Sequence, residues 1–319
     1  MLSDSAATTL HYYFQKSTEM KPIYITKSCQ IKEDRLYVDG NETELDYKQA
    51  IADPTLRRRM SRIVKMGVAC GLKCIENIDA QSIDAIITAT GLGCLADTEK
   101  FLDSIIVNEE KLLNPTPFIQ STFNTIGGQI ALMNKIHSYN VTYVHRGLSF
   151  ESALIDAAMQ VADGKRNVLL GAIDEITQSS ADIQHRLGMD RNFALGEGAN
   201  FFLLNNSPEG NSVSVNDIET KIGQKNENEI AEWIEAFMKR NSLTADNIFL
   251  IAGCKQATAE SIAKKIGLKA NWEDEKQTDY PTFTAELLNV TASKKNFSGN
   301  ILIYNEYQGI NHSLILIKK

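Results

Sequence analysis

The chain has 319 residues, 43% of them hydrophobic and 23% charged, with a formal net charge of −7. That is the composition of a globular protein with room for one large domain or two fused halves. The acidic balance argues against nucleic acid or an anionic membrane as the main partner. No window approaches the ~18 consecutive apolar residues of a membrane span.

Met1–Glu19 is polar and irregular and lacks the basic flank, apolar core and small-residue cleavage site of a leader. It is expected to be an extension outside the fold. A first strand is expected at Pro22–Thr26, then a hairpin over Ile31–Glu44 with Asp39-Gly40 as its turn. Thr55–Ile78 carries a long helical pattern opening on Leu-Arg-Arg-Arg-Met-Ser-Arg, a basic run expected on a solvated face. Cys70 and Cys74 share one face of that pattern. Without a second pair or a histidine cluster they read as small buried hydrophobes, and no metal site is expected. Five cysteines with no framework fit a reducing cytoplasm. Ile83–Thr88 is a short, largely apolar strand, Thr90-Gly-Leu-Gly a tight loop and Thr98–Asn108 a helix. Asn114–Gln120 is Pro-rich and expected to be extended, and Ser121–His137 to be a buried helix.

An apolar run at Asn140–Val144 breaks at Arg146-Gly147, and a helical pattern follows from Ser149 to Val161. A strand, a sharp glycine turn and a buried helix are how α/β enzymes present a nucleophile at a helix N-terminus. This turn holds no cysteine, only Arg146, Leu148 and Ser149 around Gly147. Ser149 is the nearest hydroxyl, but a serine there also caps the helix, with Glu151 favoured in the first turn. His145 precedes the turn and is expected to be packed or paired.

Asn167–Leu170 and Phe201–Leu204 read as strands, and Asn205–Ser212, polar with Pro and Gly, as the boundary between a half at 20–205 and another at 213–319. The second half reads as strand Val213–Thr220, helix Glu227–Asn241, strand Ile248–Ala252 and helix Thr258–Ile266. An acidic loop Trp272–Lys276 follows, then helix Thr284–Lys295 and strands Gly299–Tyr304 and His312–Lys318. The alternation implies an α/β fold with a mainly parallel sheet covered on both faces. Each half places a short apolar strand before a glycine loop (Ile83–Thr90 and Ile248–Gly253), a sign of internal duplication.

Five stretches in order resemble the β-ketoacyl-acyl-carrier-protein synthase family, within the thiolase-like fold. They are Ile87-Thr-Ala-Thr-Gly-Leu-Gly, Asn114-Pro-Thr-Pro-Phe with Asn124, Val168–Glu175, Leu195-Gly-Glu-Gly-Ala199 after Asp190-Arg191, and Asn311-His-Ser-Leu-Ile315. The resemblance implies a layered αβαβα arrangement of two related halves, the second shortened. In that alignment the family's catalytic cysteine falls on Gly147, and the first of its two histidines falls near Gly253. The second histidine falls around Thr282–Leu287, and Tyr307 replaces the gating phenylalanine. Glu175 and Glu197 are motif positions that hold loops. No histidine stands at either histidine position; the five are His11, His137, His145, His185 and His312.

The family's chemistry needs a thiolate to accept the acyl chain and imidazoles to stabilise the enolate. With all three missing, the chain resembles the inactive chain-length-factor subunit of a ketosynthase heterodimer, most of all the short subunits of aryl-polyene and flexirubin-type pathways. The expected partners are an active ketosynthase and an acyl carrier protein, with no cofactor. Phe118, Asn124, Arg146, Leu148, Phe150 and Tyr307 are expected to build the tunnel or dimer wall, with Arg146 needing a counter-charge there. Two alternatives stand beside this reading: a divergent acyltransferase using Ser149 or Cys254, with His145 as base, and a homodimeric acyl-binding scaffold.

Overall fold

The computed structural model describes residues 20–210, 212–269, 271–294 and 297–319, so the expected extension at Met1–Glu19, with His11, lies outside the described residues. In chain order the first half holds strands β1 (Ile23–Lys32), β2 (Arg35–Val38) and β3 (Asn41–Thr43), then helices α1 (Tyr47–Ala50), α2 (Pro54–Arg59) and α3 (Arg62–Cys74). It continues with β4 (Ala85–Ala89), α4 (Leu95–Val107), α5 (Pro115–Gln120), α6 (Thr125–Asn134), β5 (Tyr139–Tyr143), α7 (Ser149–Ala162), β6 (Val168–Asp174), α8 (Gln178–Arg186), β7 (Ala194–Leu195) and β8 (Gly198–Asn205). Then come β9 (Val213–Ile222), α9 (Glu227–Arg240), β10 (Ile248–Gly253), α10 (Gln256–Lys265), β11 (Trp272–Asp274), β12 (Thr278–Asp279), α11 (Phe283–Ser293), β13 (Asn300–Tyr307) and β14 (Asn311–Lys318).

The hydrogen-bonded order is β11-β10-β13-β14-β9-β1-β8-β6-β4-β5. Read outward from the central β9–β1 pair, the two arms repeat each other. In the first arm β4 runs parallel to β5 and β6, and β8 antiparallel to β6 and β1. In the second, β10 runs parallel to β11 and β13, and β14 antiparallel to β13 and β9. The duplication hinted at by two glycine loops is therefore carried by five strands on each side. The sheet is mixed rather than mainly parallel, because the last strand of each half returns as a neighbour instead of crossing over.

Period-two alternation assigns the strand residues to layers. Ile87, Leu170, Phe202, Ile251, Ile303 and Ile315 face a central core shared with Phe150, Leu154, Phe283 and Leu288 of α7 and α11. Their neighbours Ile86, Leu169, Phe201 and Leu203 face α3 and α6. Leu250, Leu302, Leu314 and Leu316 face α9 and α10. The result is the expected αβαβα stack. Cys70 and Cys74 are buried free thiols in the α3 layer.

Several boundaries differ from the sequence reading. The pattern over Thr55–Ile78 is two helices, because Met60 is extended (ψ 133°) and drives its side chain into the core. Asn114–Gln120 is helical, not extended: Asn114 Oδ1 accepts from the Thr116 N–H at 3.0 Å and Pro115 sits at the first helical position. Ser121–His137 is helical only over Thr125–Asn134, where Lys135 adopts φ +55° and stops it. Ile31 and Lys32 belong to β1, and the hairpin is β2–β3, with Asp39 and Gly40 both at positive φ. The loop at Trp272–Lys276 contains edge strand β11, and α8 was not expected at all; a capping box between Thr177 and Ser180 starts it.

Gly171 in β6 faces Phe201, and a Cβ there would lie 2.2 Å from Phe201 Cε1 in a fully buried environment. Gly171→Ala should lower unfolding free energy by about 1–3 kcal/mol through overpacking. Urea unfolding followed by circular dichroism reads this as a lower midpoint at unchanged slope; an unchanged midpoint would mean Phe201 has room to yield.

Candidate functional site

The carboxyl ends of β4, β5 and β6 in one half and of β10 and β13 in the other converge where α7 and α11 begin. In open α/β sheets this end is where ligands bind. The elbow predicted from the sequence is present: β5 ends at Tyr143, Arg146–Leu148 form one 3₁₀ turn, and α7 starts at Ser149. Arg146 sits at φ +57°, a left-handed conformation that costs a non-glycine residue of order 1 kcal/mol. Ser149 holds it there. Its Oγ donates to the Arg146 carbonyl at 2.8 Å and accepts from the His145 N–H at 2.7 Å. The side chain is fully buried, so this hydroxyl braces the turn and is not free to act as a nucleophile. It caps the elbow rather than the helix N-terminus.

Gly147 and Leu148 are buried, while His145 and Arg146 face solvent. A Cβ at Gly147 would lie 2.4 Å from Tyr307 Cδ1 and 2.7 Å from Asn311 Nδ2. A Cβ at Gly253 would lie 2.4 Å from Asn305 Oδ1 and 2.5 Å from Leu287 Cδ1. Beside Tyr307, the cleft lined by Asp174, Leu195, Gly196, Asp279 and Tyr280 has a volume of about 20 Å³, room for one water. The other expected residues disperse. Cys254 packs among Leu250, Ala252 and Tyr304 in the outer core of the second half, across the sheet from the elbow, and burial pushes its thiol far up. Phe150 is enclosed in the central core, 6.0 Å from Phe202, so it forms core and not wall. Phe118 and Asn124 are exposed, the Phe118 ring lying tilted against Phe101 with centroids 5.2 Å apart.

The histidines do not gather. His312 is buried in the outer layer, bonded to Tyr304 Oη and the Gly223 carbonyl, each at 3.1 Å. His185 pairs with Asp190 at the surface, and His137 is exposed before β5. Among the described residues, only His145 adjoins the elbow.

A polar seam that the sequence reading did not assemble runs behind it. Asp174, at the end of β6, is buried and accepts four hydrogen bonds: Gly91 N–H at 2.7 Å, Thr90 Oγ1 at 3.1 Å, Thr282 N–H at 2.9 Å and Thr282 Oγ1 at 2.7 Å. Burial pushes this carboxyl up and the four donors pull it back. Glu151, on α7, is fully buried and accepts from Thr284 Oγ1 at 2.5 Å; Asn305 Nδ2 donates to Thr284 Oγ1 at 2.8 Å. Lys276, its side chain 1% exposed, places Nζ 2.9 Å from Asp279 and donates to the Glu306 carbonyl. The legible signal was small: Lys276 is the one cation of an acidic loop just before a helix. Glu175 and Glu197 hold loops, as expected. Glu175 accepts from the Ala96 N–H at 3.0 Å, and Glu197 accepts from Ile176 N–H at 3.0 Å and pairs with Arg62. Among the described residues no group of three or more His, Cys, Asp or Glu side chains is arranged to hold a metal ion. Among the described residues no helix is long and apolar enough to cross a membrane.

A family model for the N-terminal domain of β-ketoacyl synthases matches residues 33–246. Curated proteins contain no match to the sequence. Among solved structures, the ishigamide ketosynthase/chain length factor superposes with a TM-score of 0.76 at 13% identity, covering 93% of this chain and 99% of that one. A type II polyketide synthase ketosynthase, solved with its acyl-carrier protein and bound to a hexaketide (AntDE:AntF), gives 0.73 at 13%, covering 93% and 99%. A β-ketoacyl synthase from Burkholderia phymatum STM815 gives 0.68 at 14%, covering 94% and 100%. At these identities the likeness establishes the fold, that of thiolase-like ketosynthases.

Two outcomes test the seam. Asp174→Ala strands four buried donors and should destabilise by about 3 kcal/mol or more, while Asp174→Asn, which keeps an acceptor, should cost less. Chemical denaturation decides; equal losses would mean the acceptor role is not what matters. Burial raises Glu175 to about 7, in spite of the Ala96 N–H and Arg62, and the nearby Asp97 and Glu197 carboxylates push it the same way. A raised carboxyl stabilises the fold fully below its unfolded pKa and loses that as pH climbs to the folded one. Relative to Glu175→Gln, the protein should therefore lose up to ~3 kcal/mol between about pH 4.5 and 7 and run parallel above. Parallel curves throughout would refute the shift.

Proposed function

Because the chain belongs to the β-ketoacyl synthase family, we propose that it is the non-catalytic, chain-length-factor type of subunit in a ketosynthase pair that extends fatty-acid- or polyketide-type chains. The observation that carries this reading is the elbow itself. It has the strand, turn and buried helix that present a nucleophile, and at its presenting position stands Gly147, with about 20 Å³ of space in the adjoining cleft. Glycine cannot hold an acyl thioester, and no imidazole among the described residues stands where an enolate would need one. The acyltransferase alternative loses support from the bracing role of Ser149 and the burial of Cys254.

Pairing is supported by the surface flanking the elbow. β5 ends the sheet with one edge unpaired. Beside it Leu132 of α6, Tyr139, and Ile155 and Met159 of α7 are exposed; Leu102, Ile106 and Val107 of α4 and Phe118 and Ile119 of α5 form a second exposed apolar group. Apolar surface on this scale beside an open strand edge marks an interface. The partner would supply cysteine and histidines, an acyl carrier protein would deliver the chain, and Phe118, Asn124, Arg146 and Leu148 would shape the shared wall. Two fold units, 20–205 and 213–319, and a place in an aryl-polyene-like pathway in the cytoplasm complete the proposal. Two of the solved structures named above are a ketosynthase/chain length factor and a ketosynthase with its acyl-carrier protein, which fits these partners.

Native mass spectrometry of the protein gently purified from its own host is the test. A one-to-one complex with a second ketosynthase bearing cysteine and two histidines is expected. A lasting homodimer, or a lone chain carrying an acyl mass, would overturn the reading.

A further inference from the structure

We infer that strand β13 plugs both vacated positions of the site, so that this subunit is closed to acyl thioesters by packing as well as by the absence of a thiol. The inference rests on the reading that Gly147 and Gly253 hold the positions of a lost nucleophile and a lost imidazole. A side chain deleted from a buried site ordinarily leaves a cavity, because the surroundings relax only in part. Here the space where each Cβ would stand is already taken by neighbouring side chains. Tyr307 and Asn305 stand two residues apart on β13, and so on one face of the strand. Tyr307 brings Cδ1 to 2.4 Å and Cγ to 3.0 Å of where a Cβ of residue 147 would be; Asn305 brings Oδ1 to 2.4 Å of the same point at 253.

Neither plug is free to swing aside. The clashing atoms of Tyr307 are at the root of the ring, the residue is buried, and the adjoining cleft holds about 20 Å³. Asn305 is tied through Nδ2 to Thr284 Oγ1, which in turn donates to Glu151, and Lys276 Nζ lies 3.5 Å from its Oδ1. The buried seam described above therefore holds the plug at Gly253, and the packing around Asp174 and Asp279 holds the one at Gly147. A growing chain is thereby excluded from this half, and restoring one catalytic side chain would not reopen it.

The test is thiol reactivity in the folded protein, isolated as it occurs, alone or in complex. The five native cysteines are all buried, which keeps the background low. Gly147→Cys should be alkylated by iodoacetamide at least tenfold more slowly than Gly147→Cys combined with Tyr307→Ala, as read by intact mass. Equal rates would overturn the plug. If Gly147→Cys does not fold, Gly147→Ala replaces it. The drop it causes in the urea midpoint should largely vanish in a Tyr307→Ala background, and an equal drop in both backgrounds would overturn the inference. A homodimer in native mass spectrometry would refute the subunit reading while leaving either result standing, so the two failures are distinguishable.

Discussion

One buried carboxylate organises the meeting of the two halves. Asp174 closes β6 and accepts from Thr90 and Gly91 of its own half and from Thr282, at the start of the second half's central helix. The contact is close enough that a Cβ on Gly91 would lie 2.2 Å from Pro281, so the loop after β4 must be glycine there. A buried carboxyl in such a place is tolerable because each oxygen has two donors. Removing it would free the N-terminal end of α11 from the loop, and with it the alignment of β13 against the elbow.

Around this knot the fold repeats itself. Each half offers the carboxyl ends of three parallel strands, and the two central helices, α7 and α11, begin there side by side. Such an arrangement serves chemistry because side chains from both halves reach one point. In this chain the same convergence is used for packing. Ser149 braces a strained Arg146, Tyr307 covers Gly147, and Asn305 covers Gly253. The polar groups that remain, from Glu151 through Thr284 and Asn305 to Lys276, form a buried chain of hydrogen bonds across the seam. What faces outward is Arg146 and His145 at the end of an open strand, with exposed apolar residues on the neighbouring α6 and α7.

The amino-acid sequence alone determined the parts set by local physics. Hydrophobic periodicity located the buried strands and the long helices. The Asp39-Gly40 turn was readable because only residues tolerant of positive φ serve there, and the elbow because an apolar run, a glycine and a buried helical pattern follow one another. The absence of a cysteine from the elbow needs no coordinates. The sequence misled where tertiary packing overrides local preference. Met60 breaks a continuous helical pattern to reach the core, and Pro115, capped by Asn114, starts a helix where proline suggested an extended stretch. The tertiary structure alone decided what Asp174, Asn305, Tyr307 and Lys276 do. Their partners lie up to 108 and 160 residues away along the chain, at Thr282 and Gly147, and no local pattern records such a distance. Whether a missing catalytic side chain leaves a hole or a filled site depends on which distant strand is brought against it, and that is fixed only when the two halves close.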